Sequence, residues 1–269
     1  MSWRWNVGFG IDIPWNRYGY IGVAGCSKYI GRYANMSRQL SEYGCSSARW
    51  HLDFDGPVID SFFREESLSG ISERRKSELR IWLNHYYSIK AARITGCRRV
   101  LLMEDDISFI MDKKVISDAI SSIPNDSEIE FYDWRTYRDG VRQLSERKQD
   151  GCHWVDASGV PILFFSMVGI GVDGMDFLID RFENCVFGKC LKNIDLYFRP
   201  ESNSGLKTYV SFPHIAMQVN TGRSVHAHSK AYLGTVNPAE YYQRDDHAGK
   251  RKALHENNFR SAFARRFNG

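Results

Sequence analysis

The chain has 269 residues, enough for one sizeable core, and its 43% hydrophobic and 25% charged content is ordinary for a globular protein. A net charge of +4 is too mild for a nucleic-acid binder, and no run approaches the ~20 apolar residues that cross a bilayer. The cysteines, Cys26, Cys45, Cys97, Cys152, Cys185 and Cys190, show no zinc or CxxC spacing and read as reduced thiols. MSWRWNVGFG lacks a basic segment followed by an apolar one, so the sequence predicts no signal peptide and a cytoplasmic location. Aromatic content of 14% suits planar ligands such as nucleobases and sugars as well as it suits an aromatic core.

In chain order, Tyr20 to Ala24 predicts a first core strand. Ser27 is placed to cap a helix running to Tyr43 and ended by Gly44. Ala48 to Leu52 predicts a second strand, Asp53 to Pro57 a turn, and 58–71 irregular chain. Leu79, Trp82, Leu83, Tyr86, Ile89 and Ala92 recur at three- and four-residue steps, predicting a helix from Ser72 to Thr95 closed by Gly96. A strand at 99–103, a helix near 112–122 and a strand from Ile129 to Trp134 follow. Residues 136–151 read as a charged loop. Beyond lie an apolar segment, Val160 to Val172, a helix near 174–184, a short apolar piece around Asp195, and a late strand, Thr208 to Phe212. Alternating strands and helices predict an α/β fold with helices on both faces of one sheet.

The most informative stretch is Val100-Leu101-Leu102-Met103-Glu104-Asp105-Asp106. Three acids closing an apolar strand repel one another and resist burial, so a divalent cation, Mn²⁺ or Mg²⁺, is the expected partner. Alternation sends Glu104 and Asp106 to one face, to share the ion, and Asp105 to the other, to bond backbone or sugar hydroxyls. An acidic turn is the plainer alternative. Asp195, alone between Ile194 and Leu196, is a candidate general base, with Asp133 beside Trp134 as its rival; a capping or salt-bridged aspartate is the bland reading. His226 and His228 share one face if extended and are candidate metal ligands. Arg223 is a candidate diphosphate clamp, against a polar loop as the competing account. His85 is a candidate substrate contact or a core histidine satisfied by backbone.

Leu83-Asn84-His85-Tyr86, Ile89-Lys90-Ala91 and the strand ending in Glu104-Asp105-Asp106 together resemble glycosyltransferase family 25, which includes bacterial lipooligosaccharide galactosyltransferases. His85 matches the family histidine, while Asn84 replaces its usual serine. Glu128 to Tyr132, Phe164 to Leu178, Ile194-Asp195 and Pro213 to Gln218 resemble later family elements in order, over roughly residues 20–225. The first strand departs: Val23-Ala24-Gly25-Cys26 stands where the family has Asn-Leu-Asp/Glu-Arg, with Arg32 able to stand for a family arginine. The resemblance implies a GT-A-like, Rossmann-like mixed sheet flanked by helices, binding a nucleotide sugar. It further implies UDP-galactose as donor, a cell-surface glycan or glycolipid acceptor, and inversion at the anomeric carbon.

Residues 1–243 are expected to form the catalytic domain. In the tail, 244–269, Leu254, Phe259, Phe263 and Phe267 fall near one helical face amid six basic residues from Lys250 to Arg266. This suits either a peripheral membrane contact or a helix packed on its own domain. The alternatives in function are a metal-dependent nucleotidyl or phosphoryl transferase and a non-catalytic carbohydrate-binding protein.

Overall fold

The computed structural model describes residues 11–25, 29–52, 73–162, 165–187 and 205–218. Its strands are β1 (Tyr20–Gly25), β2 (Ala48–Leu52), β3 (Arg99–Glu104), β4 (Ile107–Phe109), β5 (Ile129–Phe131), β6 (Trp154–Asp156), β7 (Met167–Gly171), β8 (Thr208–Ser211) and β9 (Ala216–Gln218). Its helices are α1 (Ile30–Glu42), α2 (Glu73–Ile94), α3 (Lys113–Ser121), α4 (Arg138–Arg147) and α5 (Val172–Phe187).

Seven strands form one mixed sheet in the order β2-β1-β3-β7-β5-β8-β6. The first three run parallel, as helical crossovers require, and β7 lies antiparallel between β3 and β5. β8 runs parallel to β5, and β6 closes that side antiparallel. The α/β fold with a mixed, Rossmann-like sheet flanked by helices is therefore the one expected.

Two apolar layers cover the sheet. Val100 and Leu102 of β3 join Ile129, Phe131, Val168 and Ile170 beneath α2 and α5, where Trp82, Leu83, Ile89, Leu178 and Phe182 are buried. Leu101 and Met103 point the other way, into Met36 and Leu40 of α1 and Ile116, Ala119 and Ile120 of α3. The two-residue alternation of β3 thus feeds both layers, which is why the strand reads as continuously apolar. Gly22 of β1 lets α2 approach closely, because a Cβ there would collide with Ser88.

A small ribbon, β4 with β9, stands beyond the end of β3. Gln39 of α1 anchors it like an added strand residue, donating to Ile107 O at 3.1 Å and accepting from Phe109 N at 2.9 Å.

Several expected elements match. Gly44 and Gly96 both sit at φ 73° just past α1 and α2, the left-handed position that ends a helix. Asp112 caps α3 by accepting from Val115 N at 2.9 Å. Others need correction. The segment 136–151 is not a loop throughout, since α4 occupies its middle. Its charges make ion pairs within the helix, Arg142 with Asp139 and Glu146, and Leu144 plugs the core. The N-cap of α1 is Tyr29, with no side-chain cap, while Ser27 lies outside the described residues. β5 ends at Phe131 rather than Trp134. The strands β4, β6 and β9, three residues each, had not been expected. The turn at 53–57, the irregular 58–71, the Asp195 segment and the tail 244–269 lie outside the described residues.

Candidate functional site

The direction of the strands brings the chemistry to one edge. The carboxyl ends of β3, β5 and β8 and the amino end of β7 share it, since β3, β5 and β8 point the same way and β7 runs against them. Open α/β sheets gather ligands at such an edge. Here it carries Glu104 from β3, Asp105 and Asp106 from the turn that follows, Asp133 just past β5, Ser166 just before β7, and His214 between β8 and β9.

Backbone hydrogen bonds fix the acidic turn. Glu104 N donates to Ser166 O at 2.8 Å, and Asp105 N donates to Ala24 O at 2.9 Å. The chain is thereby pinned between β1 and the entry to β7. Glu104 keeps 23% of its side-chain surface, whereas Asp105 and Asp106 are buried.

β3 ends at Glu104, so strand alternation does not run through Asp105 and Asp106, and the Asp105 side chain meets a guanidinium where backbone or sugar hydroxyls had been expected. Glu104 and Asp106 converge on one amide nitrogen: Gln218 Nε2 donates to Glu104 Oε2 at 3.1 Å and to both oxygens of Asp106 at 3.1 and 3.2 Å. Asp105 turns to Arg32, whose Nη1 lies 3.3 Å from its Oδ1 and 3.1 Å from Asp106 Oδ2. Arg32 is buried and rides 4.7 Å above the Tyr29 ring. Its Nε and Nη2 have no hydrogen-bond partner among the described residues.

One guanidinium faces three carboxylates, and the electrostatics show the imbalance. Burial first, then the charge of Asp105, pushes the Glu104 carboxyl up to about 8; Arg32 opposes this and Asp133 adds to it. Burial and the charge of Glu104 push Asp106 up to about 7, against Arg32 and the Gln218 hydrogen bond. Both acids thus favour a proton, or another positive partner, at neutral pH.

His85 is fully enclosed on α2, its ring edge-on to Phe165 at 5.0 Å and its Nε2 3.9 Å from Glu104 Oε1. Burial holds its pKa down to about 3, so the imidazole is neutral. Among the described residues its Nε2 has no hydrogen-bond partner, nor has Oδ1 of the adjacent Asn84, whose Nδ2 donates to Gly25 O at 3.4 Å. Orphaned buried donors and acceptors are rare in native proteins. Arg32, Asn84 and His85 supply a set of them beside the acids.

Asp133 is buried and engaged. Its Oδ2 accepts from Ser166 Oγ at 2.8 Å and from Gln218 N at 2.9 Å. Its Oδ1 lies 3.6 Å from His214 Nδ1. Gln218 therefore ties Asp133 to the acid cluster, backbone on one side and amide on the other.

Among the described residues, no three His, Cys, Asp or Glu converge as a ready ligand shell. The donor set nonetheless suits a hard divalent cation, because magnesium-like ions are commonly held by one or two carboxylates completed by substrate phosphates. Glu104 and Asp106, already sharing one amide hydrogen-bond donor, are the two that fit.

Of the sequence candidates, Glu104, Asp105, Asp106, Arg32, His85 and Asp133 come together at this edge. Asp195, Arg223, His226 and His228 lie outside the described residues. Gln218, Ser166 and His214 had been given no role. Gln218 ends an apolar run, Ile215-Ala216-Met217, and closes the stretch from Pro213 that resembles a family element; Ser166 has no such sign.

No protein-family model matches the chain, and no curated protein matches it in sequence. Among solved structures it is similar to a glycosyltransferase involved in the glycosylation of the major capsid of PBCV-1. That similarity is at 10% identity with a TM-score of 0.38, covering 72% of this chain and 94% of that one. The likeness is distant and says nothing of the activity of this chain.

Proposed function

We propose that the protein is a glycosyltransferase that takes a sugar from a nucleotide sugar, with a divalent cation, Mn²⁺ or Mg²⁺, held at Glu104 and Asp106. The observation that supports this is the convergence of Glu104, Asp105 and Asp106 at the carboxyl edge of the sheet around one guanidinium, Arg32, among the described residues. When bound, the cation would supply Lewis-acid neutralisation of the departing diphosphate. Arg32 offers the N–H groups of Nε and Nη2, unpartnered among the described residues, to phosphate oxygens, a charge-assisted bond that a guanidinium makes well. Asp105 holds that guanidinium in place. His85, enclosed and neutral, stands behind the Glu104 carboxylate at 3.9 Å.

The finer reading follows the family 25 resemblance: UDP-galactose as donor, a cell-surface glycan or glycolipid as acceptor, and inversion. Asp195, Arg223, His226, His228 and a membrane-contacting tail belong to that proposal too. Among the described residues, no helix is long and apolar enough to cross a membrane.

The test is a panel of nucleotide sugars with and without Mn²⁺, read by thermal shift and by the nucleotide released. Stabilisation by a UDP-sugar with Mn²⁺, and release of UDP, support the proposal. Release of pyrophosphate assigns a nucleotidyl transferase instead. Sugar binding with neither product assigns a carbohydrate-binding protein.

A further inference from the structure

Asp133 and His214 form a pair whose two members differ in access. The imidazole keeps 21% of its surface exposed, the carboxylate 3%. Asp133 is also committed, with Oδ2 taken by Ser166 Oγ and by the backbone of Gln218. A buried, doubly engaged carboxylate is poorly placed to meet an incoming hydroxyl. The histidine beside it is better placed. Its ring lies flat on Trp134, centroids 4.7 Å apart at 17°, which limits rotation, and Ile215 N, bonded to Tyr132 O at 3.0 Å, fixes the adjoining backbone. Ser166 is no nucleophile of a hydrolytic triad, since its hydroxyl donates to the aspartate and it is 1% exposed.

Resting on the transferase reading above, we propose that His214 is the general base that activates the acceptor, and that Asp133 is its positioning residue. The acceptor O–H gives its proton to Nε2 of His214 as its oxygen forms the bond to the anomeric carbon. The bond from that carbon to the diphosphate breaks, and its electron pair leaves on the diphosphate oxygen. The imidazolium that results has its Nδ1 beside Asp133, 3.6 Å away before reaction, a spacing of the kind that tightens when the charge appears. Gln218 joins this pair to the acids that face the leaving group, so one residue sets the distance between the two halves of the reaction.

The test uses the full chain, Mn²⁺ and UDP-galactose, with water as the stand-in acceptor and released UDP as the signal. In His214→Ala, kcat falls ~100-fold or more with donor KM within about twofold of wild type, and imidazole added to the assay restores part of the rate. His214→Gln, which keeps the bulk over Trp134, falls equally and melts like wild type. Asp133→Asn lowers kcat ~10-fold or more without moving KM. Wild-type turnover in His214→Gln overturns the assignment of the base and leaves the transferase standing, as does a defect confined to KM or one that imidazole does not relieve. A wild-type protein that releases no UDP overturns the transferase reading and this step with it.

Discussion

Glu130 and Asp106 are both buried acids of the same sheet, yet they keep different company. Glu130, in β5, is ion-paired with Arg99 and accepts from Tyr18 Oη at 3.1 Å; Tyr18 in turn contacts Tyr132 Oη. Arg99 also donates to Ser127 O at 2.9 Å. That cluster lies toward the amino end of β3 and sets Glu130 directly against Arg99. Gly169 makes room for it, since a Cβ there would meet Glu130 and Tyr18. At the carboxyl end, Glu104, Asp105 and Asp106 share Arg32 and one Gln218 amide. In the first cluster the acid and the guanidinium face each other directly. In the second, several acids meet around Arg32, and Arg32 Nε and Nη2, Asn84 Oδ1 and His85 Nε2 have no hydrogen-bond partner among the described residues, a pattern that suits a binding site.

Four experiments would break or sharpen that contrast. The largest effect is expected from Asp106→Ala, which should lower affinity for Mn²⁺ with UDP by more than ~100-fold in calorimetry without lowering the melting temperature, because it removes a repelled charge. Arg99→Ala should do the opposite. It strands Glu130 and should cost about 3–5 kcal/mol in urea unfolding, with no relief from Mn²⁺. Removing the shared amide in Gln218→Ala should cost about 1–3 kcal/mol at pH 8. At pH 5, where Glu104 and Asp106 are protonated, the cost should be smaller.

The fourth experiment is a stability profile against pH. The folded protein binds protons on Glu104 and Asp106 more tightly than the unfolded chain does, their values lying at about 8 and about 7. That stabilisation is complete below the ordinary carboxylate range and is lost as pH rises toward those values. Without a divalent ion, each group should remove roughly 1.4 kcal/mol per pH unit between about pH 5 and its folded value. The double variant Glu104→Gln, Asp106→Asn should flatten the profile. An unchanged profile would mean that the two acids are no more strained than Glu130.

The sequence made the central strand and its acids legible because one line of residues carries both signals, an apolar run and then three charges. α2 was legible for a similar reason, with apolar residues at helical steps and Gly96 beyond its end. α4 was not, since ion pairs along a helix and charges in a loop look alike in composition, and Leu144 is the one large apolar side chain buried among its described residues. β4, β6 and β9 are too short to show a period of two. The site followed the same logic. Glu104, Asp105 and Asp106 announce themselves, but the residue that joins two of them, Gln218, is 114 positions from Glu104, and its hydrogen bonds depend wholly on the pairing of β4 with β9. Asp133 was weighed as a base from its place at a strand end. The buried contacts with Ser166 and Gln218 come from the tertiary fold.

The most direct measurement is calorimetric titration of UDP into the full chain at neutral pH, with and without Mn²⁺, in wild type and in Asp106→Asn. The account predicts that UDP binds wild type at least tenfold more tightly with Mn²⁺ present, and that this gain vanishes in the variant. Equal affinity for UDP with and without the ion in wild type, or an undiminished gain in Asp106→Asn, would contradict it.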